Sequence, residues 1–121
     1  MDRQWLGRIG EDAAVRYLEA RGYRIVARNF RCPLGEIDLV AEQGGVTVFV
    51  EVKTRRSVAC GAPVEAITPR KRRRIALLAA YYLQGARRPD APARFDAVAV
   101  TVTPQGRVGR VDLVVDAFAV G

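Results

Sequence analysis

Residues 35–53 read GEIDLVAEQGGVTVFVEVK, a pattern of two β-strands joined through Gly44-Gly45. In the first strand, 36–42, Ile37, Leu39 and Ala41 fall on one face and Glu36, Asp38, Val40 and Glu42 on the other. In the second, Val46, Val48, Val50 and Val52 line one face while Thr47, Phe49, Glu51 and Lys53 line its reverse. With Gly44-Gly45 as a two-residue hairpin loop, Gln43 pairs with Val46 and the register follows by counting outwards. Val40 then faces Phe49, Asp38 faces Glu51, and Glu36 faces Lys53. A three-residue loop with a bulge would shift this pairing.

That register sets two carboxylates directly opposite each other with β-carbons ~5 Å apart, an arrangement that destabilises a sheet unless a cation sits there. A hard divalent ion, Mg2+ or Mn2+, suits one or two carboxylates completed by water and phosphate. Lys53, two residues along the same face, would lie beside it and could hold a phosphate or orient a water. The plainer reading makes Glu36 and Lys53 a cross-strand ion pair and leaves Asp38 and Glu51 solvated, as on many antiparallel surfaces.

Composition narrows the chemistry. The chain has 121 residues, half of them apolar, enough for a single domain over residues 1–121 with a hydrophobic core of its own. No apolar run reaches membrane-spanning length and no signal-peptide pattern opens the chain, so a cytoplasmic location without membrane association is expected. Cys32 and Cys60 lie too far apart for a zinc spacing and read as reduced thiols. The formal net charge of +7 favours a polyanionic partner, nucleic acid before membrane. There is no histidine, which excludes Ser-His-Asp and Cys-His nucleophiles, HExxH zinc sites and imidazole bases. Any enzymatic chemistry here must run on carboxylates, lysine and a bound metal or cofactor.

Outward from the hairpin, the spacing predicts a helix over residues 5–21 with Glu11, Ala14, Val15 and Leu18 on a shared face, ended by Gly22. Glu11 is placed either over the sheet or simply in a favourable early-helix position. A strand over 23–31 follows, and Cys32-Pro33-Leu34-Gly35 turns it into the hairpin, giving an antiparallel meander. Residues 54–67 read as a loop. From Lys53 to Arg74 the chain carries eight basic residues against one acidic residue, Glu65.

Thr68-Pro69 is a helix start, with threonine as N-cap and proline in the first turn. Arg70, Lys71, Arg72, Arg73 and Arg74 crowd the positive end of that helix, a cost that a bound phosphate would reverse. Ile75, Leu78, Ala79 and Tyr82 form its buried face, with Lys71 on the same side; Tyr81 and Tyr82 read as packing residues more than as platforms for bases. Strands over 95–103 and 107–115 complete the chain, with Asp96 as an ion-pair or turn partner. The expected class is α/β, with element order α-β-β-β-α-β-β and a right-handed crossover that makes the third and fourth strands parallel in a mixed sheet flanked by helices.

A helix carrying an acid, a strand pair carrying D…ExK, a further helix and another strand resemble the PD-(D/E)xK, or restriction-endonuclease-like, core. Gly7-x-x-Gly10-Glu11, Gly22-Tyr23, Gly35-Glu36-Ile37-Asp38-Leu39 and Phe49-Val50-Glu51-Val52-Lys53-Thr54-Arg55, in this order, resemble the bacterial YraN family over residues 7 to about 118. Its fold is similar to that of archaeal Holliday-junction resolvases. The resemblance implies Asp38 and Glu51 as metal ligands, Lys53 as catalytic lysine, and Glu11 as an additional helix-borne acid; Lys71 matches a basic residue early in the family's second helix. Ile37 departs from the superfamily's Pro-Asp.

The expectation is therefore a Mg2+- or Mn2+-dependent endonuclease-like protein, with the metal held by Asp38 and Glu51 and bound by Glu11 directly or through water, acting on DNA more than RNA, branched or structured DNA included. Arg55, Arg56, Arg70, Lys71, Arg72 and Arg73 would track the phosphate backbone, and a homodimer is expected by analogy for cutting two strands. The rival is a nucleic-acid-binding accessory protein with a vestigial or structural metal site, since basic charge gives affinity without catalysis. An adaptor for an acidic membrane or protein partner is the third reading.

Overall fold

The first helix opens on Asp2, whose carboxylate accepts the Trp5 N–H at 2.8 Å, and α1 runs Arg3–Glu19. The structure, a computed structural model, describes residues 2–56 and 68–117. After α1 come β1 (Arg24–Cys32), β2 (Gly35–Gln43), β3 (Val46–Arg56), α2 (Pro69–Gly85), β4 (Ala93–Val102) and β5 (Val108–Val114). The order α-β-β-β-α-β-β is that of the expected restriction-endonuclease-like α/β fold.

The five strands form one sheet in the order β1-β2-β3-β4-β5, antiparallel except for the parallel β3–β4 pair. The crossover through α2 is what makes that pair parallel. Gly44 and Gly45 take φ of 57° and 81°, as a two-residue hairpin turn with both central residues left-handed requires. Gln43 pairs with Val46 and Val40 with Phe49, the register counted from the sequence.

The sheet has a core on each face. Ala13, Ala14 and Leu18 of α1 pack on Leu39, Ala41, Val48, Val50, Val98, Val100 and Val102. On the reverse, Leu78, Ala79 and Leu83 of α2 pack on Ile37, Val40 and Phe49. Tyr82 is half-buried there, its ring edge-on to Phe30 and Phe49 at 5.1 and 5.8 Å. Burial on both faces explains the near-continuous apolar run of β4.

Buried Asp96 ties the chain ends of this sheet together. It accepts from Tyr23 Oη at 2.7 Å, Arg94 Nε at 3.1 Å and the Asp116 N–H at 2.9 Å. It is the ion-pair and turn partner expected. Burial first, then the hydrogen bond to Asp96, pushes the Tyr23 hydroxyl pKa up.

Three expectations are corrected. Strand β3 continues through Thr54, Arg55 and Arg56, so the loop anticipated over residues 54–67 does not begin at 54; residues 57–67, with Cys60 and Glu65, lie outside the described residues. Ile37 joins Val40 and Phe49 beneath α2 instead of sharing a face with Leu39 and Ala41. And the β2–β3 ladder ends at Leu39↔Val50, so Asp38 and Glu51 are not a ladder pair. Among the described residues no helix is long and apolar enough to cross a membrane.

Candidate functional site

The reason for the last two corrections lies in β1. Arg28 pairs with Leu39 and Phe30 with Ile37, and Asn29 between them sits at φ 54°, the left-handed region. Arg28 reaches Glu11 of α1, whereas Phe30, two residues on, packs beneath α2. A regular strand returns to the same face after two residues. Here both strands reverse face at the same level, β1 at Asn29 and β2 at Asp38. Asn is among the few non-glycine residues that adopt this conformation readily.

The reversal turns Asp38 out of the ladder. Its Oδ2 accepts the Val52 N–H at 2.7 Å, a backbone donor that a regular β2 would have bonded through its own carbonyl. The half-buried carboxylate lines a cavity of about 690 Å³ between α1 and the sheet, together with Gly7, Arg8, Glu11, Arg28 and Thr54. Burial, then repulsion from Glu51, with smaller contributions from Glu36 and Glu11, push its pKa up to about 7, against the Val52 hydrogen bond that lowers it. No basic side chain among the described residues pairs with it.

Its neighbours are each held by a cation. Glu51, on the α2 face of β3, takes Lys71 Nζ on Oε1 at 2.5 Å. Glu36 binds Arg31 Nε at 3.0 Å. Glu11 accepts Arg28 Nε at 2.8 Å and Asn29 Nδ2 at 3.0 Å, while Arg28 also reaches Asp12 at 2.6 Å. Those two acids raise the Arg28 pKa.

Lys53 is exposed and two residues along β3 from Glu51. Arg70 and Arg73 are exposed at the start of α2, where Thr68 Oγ1 accepts the Lys71 N–H at 3.1 Å, the cap expected from the sequence. Arg72 is half-buried on the same turn. Arg55 and Arg56 lie at the end of β3, beyond Lys53.

The structure thus places Asp38, Glu51 and Lys53 at one level of β2 and β3, with Glu11 of α1 near Asp38 in the cavity and Glu51 turned to the α2 side. It adds a partner for Glu51 in Lys71, which sequence placed on the buried side of α2 as well as among the backbone-tracking residues. Sequence reasoning missed Arg28 and Asn29, which fix Glu11; an asparagine inside a strand pattern was their one signal.

A hard cation fits the pair Asp38 and Glu51 by donor type: oxygen ligands, one of them already attracting an ammonium, the other charged at a cost and unpaired. Among the described residues no group of three or more His, Cys, Asp or Glu stands ready to hold a metal. Two protein carboxylates completed by water or phosphate are what Mg2+ accepts.

Sheet, helices and site level together define an α/β protein of restriction-endonuclease-like fold. The chain belongs to the uncharacterised protein family UPF0102, whose model matches residues 10–100; this is the YraN family that its motifs resemble. It is 50% identical to a UPF0102 protein of Moorella thermoacetica over 118 residues, 98% of each chain. A UPF0102 protein of Symbiobacterium thermophilum is 52% identical over 93% of this chain and 95% of its own. One from Caldicellulosiruptor saccharolyticus is 44% identical over 98% of this chain and all of its own length.

Proposed function

We propose that this protein binds DNA and hydrolyses its phosphodiester backbone with the help of Mg2+ or Mn2+ held by Asp38 and Glu51. The observation that carries this reading is Asp38. A carboxylate withdrawn from water, beside Glu51 and with no cationic partner among the described residues, is costly unless a cation completes it. When bound, such a cation would neutralise phosphoryl charge and make water more acidic.

The chain's own groups divide the remaining work. Asp38 is held in place by the Val52 N–H, so its free oxygen is presented without rotamer search. Lys53 Nζ, exposed beside Glu51, supplies a mobile ammonium that can hold a non-bridging phosphate oxygen or orient water by its N–H donors. Glu11 is fixed by Arg28 and Asn29, so its part is to shape the cavity wall near Asp38. The arginines of α2's first turns would receive neighbouring phosphates.

Labelled linear, flapped and four-way-junction DNAs incubated with Mg2+ or Mn2+ test the reading. Wild type should cut at least one of them, and Glu51→Ala and Lys53→Ala should cut none while melting cooperatively. Cleavage that survives in both variants sinks the assignment.

A second reading is favoured by one observation: Lys71 on Glu51 and Arg28 on Glu11 satisfy those acids without metal. In it the protein binds nucleic acid as an accessory factor and the acids are structural. Mn2+ that raises the melting temperature of wild type but not of Asp38→Asn, with no cleavage of any DNA, would support it.

A further inference from the structure

Helix α2 carries a second surface, on the side away from the sheet. Arg70, Arg73, Arg74, Leu77, Tyr81 and Gln84 follow one another at helical spacing and all are exposed. Leu77 is 60% exposed and Tyr81 47%, large apolar groups left in solvent on a helix whose opposite face is fully packed. Leu34, at 45%, extends the patch from the β1–β2 turn, beside Gly35, where an added β-carbon would lie 3.6 Å from Leu78 and 3.9 Å from Arg74 of α2.

We infer that this face is a platform for a single-stranded nucleic-acid segment, with a base stacked on Tyr81 and phosphates on Arg70, Arg73 and Arg74. The inference rests on the nucleic-acid reading above and names the substrate feature it would engage. Three features of the surface carry it.

The first is charge. Arg70, Arg73 and Arg74 pair with no carboxylate among the described residues, and α2 contains no acidic residue. A second copy of this chain laid on the helix would find arginines and no acid of α2 to answer its own; a polyanion finds only complementarity.

The second is rigidity. Tyr81 leans on Phe30 with ring centroids 6.4 Å apart, and Phe30 is itself clamped edge-on by Tyr82 at 5.1 Å. A braced ring gives up little entropy on stacking.

The third is shape. Tyr81 stands between two surface concavities, one of about 380 Å³ with Phe30, Tyr82, Gly85 and Ala86, the other of about 350 Å³ with Gln84 and Gly85. A third, of about 520 Å³, lies at the arginine end with Thr68, Arg70, Lys71 and Arg74. At about 1.5 Å per residue, Arg74 and Arg70 lie roughly 10 and 16 Å along the axis from Tyr81. A strand stacked on the ring would thus run toward Lys71 and Glu51. Duplex DNA hides its base faces in the stack, so the aromatic half of this surface selects unpaired nucleotides, while the arginines serve either form.

Fluorescence anisotropy with labelled dT20 and a 20-base-pair duplex, in EDTA, tests it. Tyr81→Ala should weaken dT20 binding about tenfold, the loss of one stacked base at roughly 1.4 kcal/mol. Tyr81→Phe should stay within about twofold of wild type, and neither should change duplex affinity by more than that. Leu77→Gln, further out in solvent, carries the same test at about threefold should Tyr81→Ala not fold. Unchanged dT20 binding in Tyr81→Ala and Leu77→Gln overturns the platform, as does an equal loss on duplex. Sedimentation that shows a wild-type dimer dissociated by Tyr81→Ala overturns it in favour of a self-interface. Because binding is read without metal and cleavage with it, a protein that cuts DNA but ignores Tyr81 defeats the platform alone. One that binds through Tyr81 and never cuts defeats the nuclease reading alone.

Discussion

Asp38 is where sequence, backbone and chemistry meet. Its folded pKa, raised from 3.8 to about 7, means that the native state holds this proton more tightly than the unfolded chain does. Native stability from this group is therefore fully present below the unfolded value and is lost as pH rises through the folded one. At about 1.4 kcal/mol per pH unit the penalty above neutrality is of the order of 4 kcal/mol. Asp38→Asn keeps an oxygen for the Val52 N–H and removes the charge. It should melt roughly 5–15 °C above wild type at pH 8 and match it near pH 4. Thermal melts at the two pH values check this; equal melting temperatures at pH 8 would mean Asp38 is charged without cost. Mn2+ should close the gap by stabilising wild type alone.

Elements carry the geometry that single residues cannot. Helix α1 approaches β3 through Gly10, where an added β-carbon would lie 1.8 Å from Thr54 Oγ1 and 2.8 Å from Thr54 Cβ and Cγ2. Both sides of that contact sit on regular elements, so neither yields cheaply. Gly10→Ala should cost about 2 kcal/mol, within the usual range for overpacking, and Thr54→Gly in the same chain should recover much of it. Urea unfolding of the two single variants and the double variant gives the coupling; a value under about 0.5 kcal/mol would show that the helix simply shifts. Since Glu11 follows Gly10, such a shift would also pull its carboxylate from Arg28 and Asn29. The Gly7-x-x-Gly10-Glu11 motif was visible in the sequence, but its reason is a contact with a strand more than forty residues away. The hairpin was legible because Gly44-Gly45 and the alternating valines of β3 each specify the same register. Its far end was not, because one left-handed Asn29 in a neighbouring strand redirects Asp38, and no period within β2 records that. Lys71 was legible as basic and helix-borne; that it would choose Glu51 over solvent depends on how closely α2 meets β3.

On the scale of the whole molecule the question is which of 20 basic side chains a polyanion feels. Net charge cannot say, because several cations are already spoken for within the fold: Arg24, Arg28, Arg31, Arg88, Arg94, Arg110 and Lys71 all contact carboxylates. A phosphate competing for Lys71 must first displace it from Glu51, whereas Arg73 offers its charge outright. Salt titration separates the two, since each phosphate neutralised adds about 0.9 to the slope of log K against log salt for duplex DNA. Arg73→Gln should lower that slope by about one. Lys71→Gln should leave it unchanged in EDTA, where Glu51 holds the ammonium. With Mn2+ present, in a Lys53→Ala background that prevents cutting, Glu51 has another cation to hold and Lys71 is released to the substrate. The slope lost in Lys71→Gln should then rise to about one. A Lys71 effect of the same size with and without Mn2+ would mean that the ion pair with Glu51 does not gate the lysine, and that metal and substrate meet this site independently.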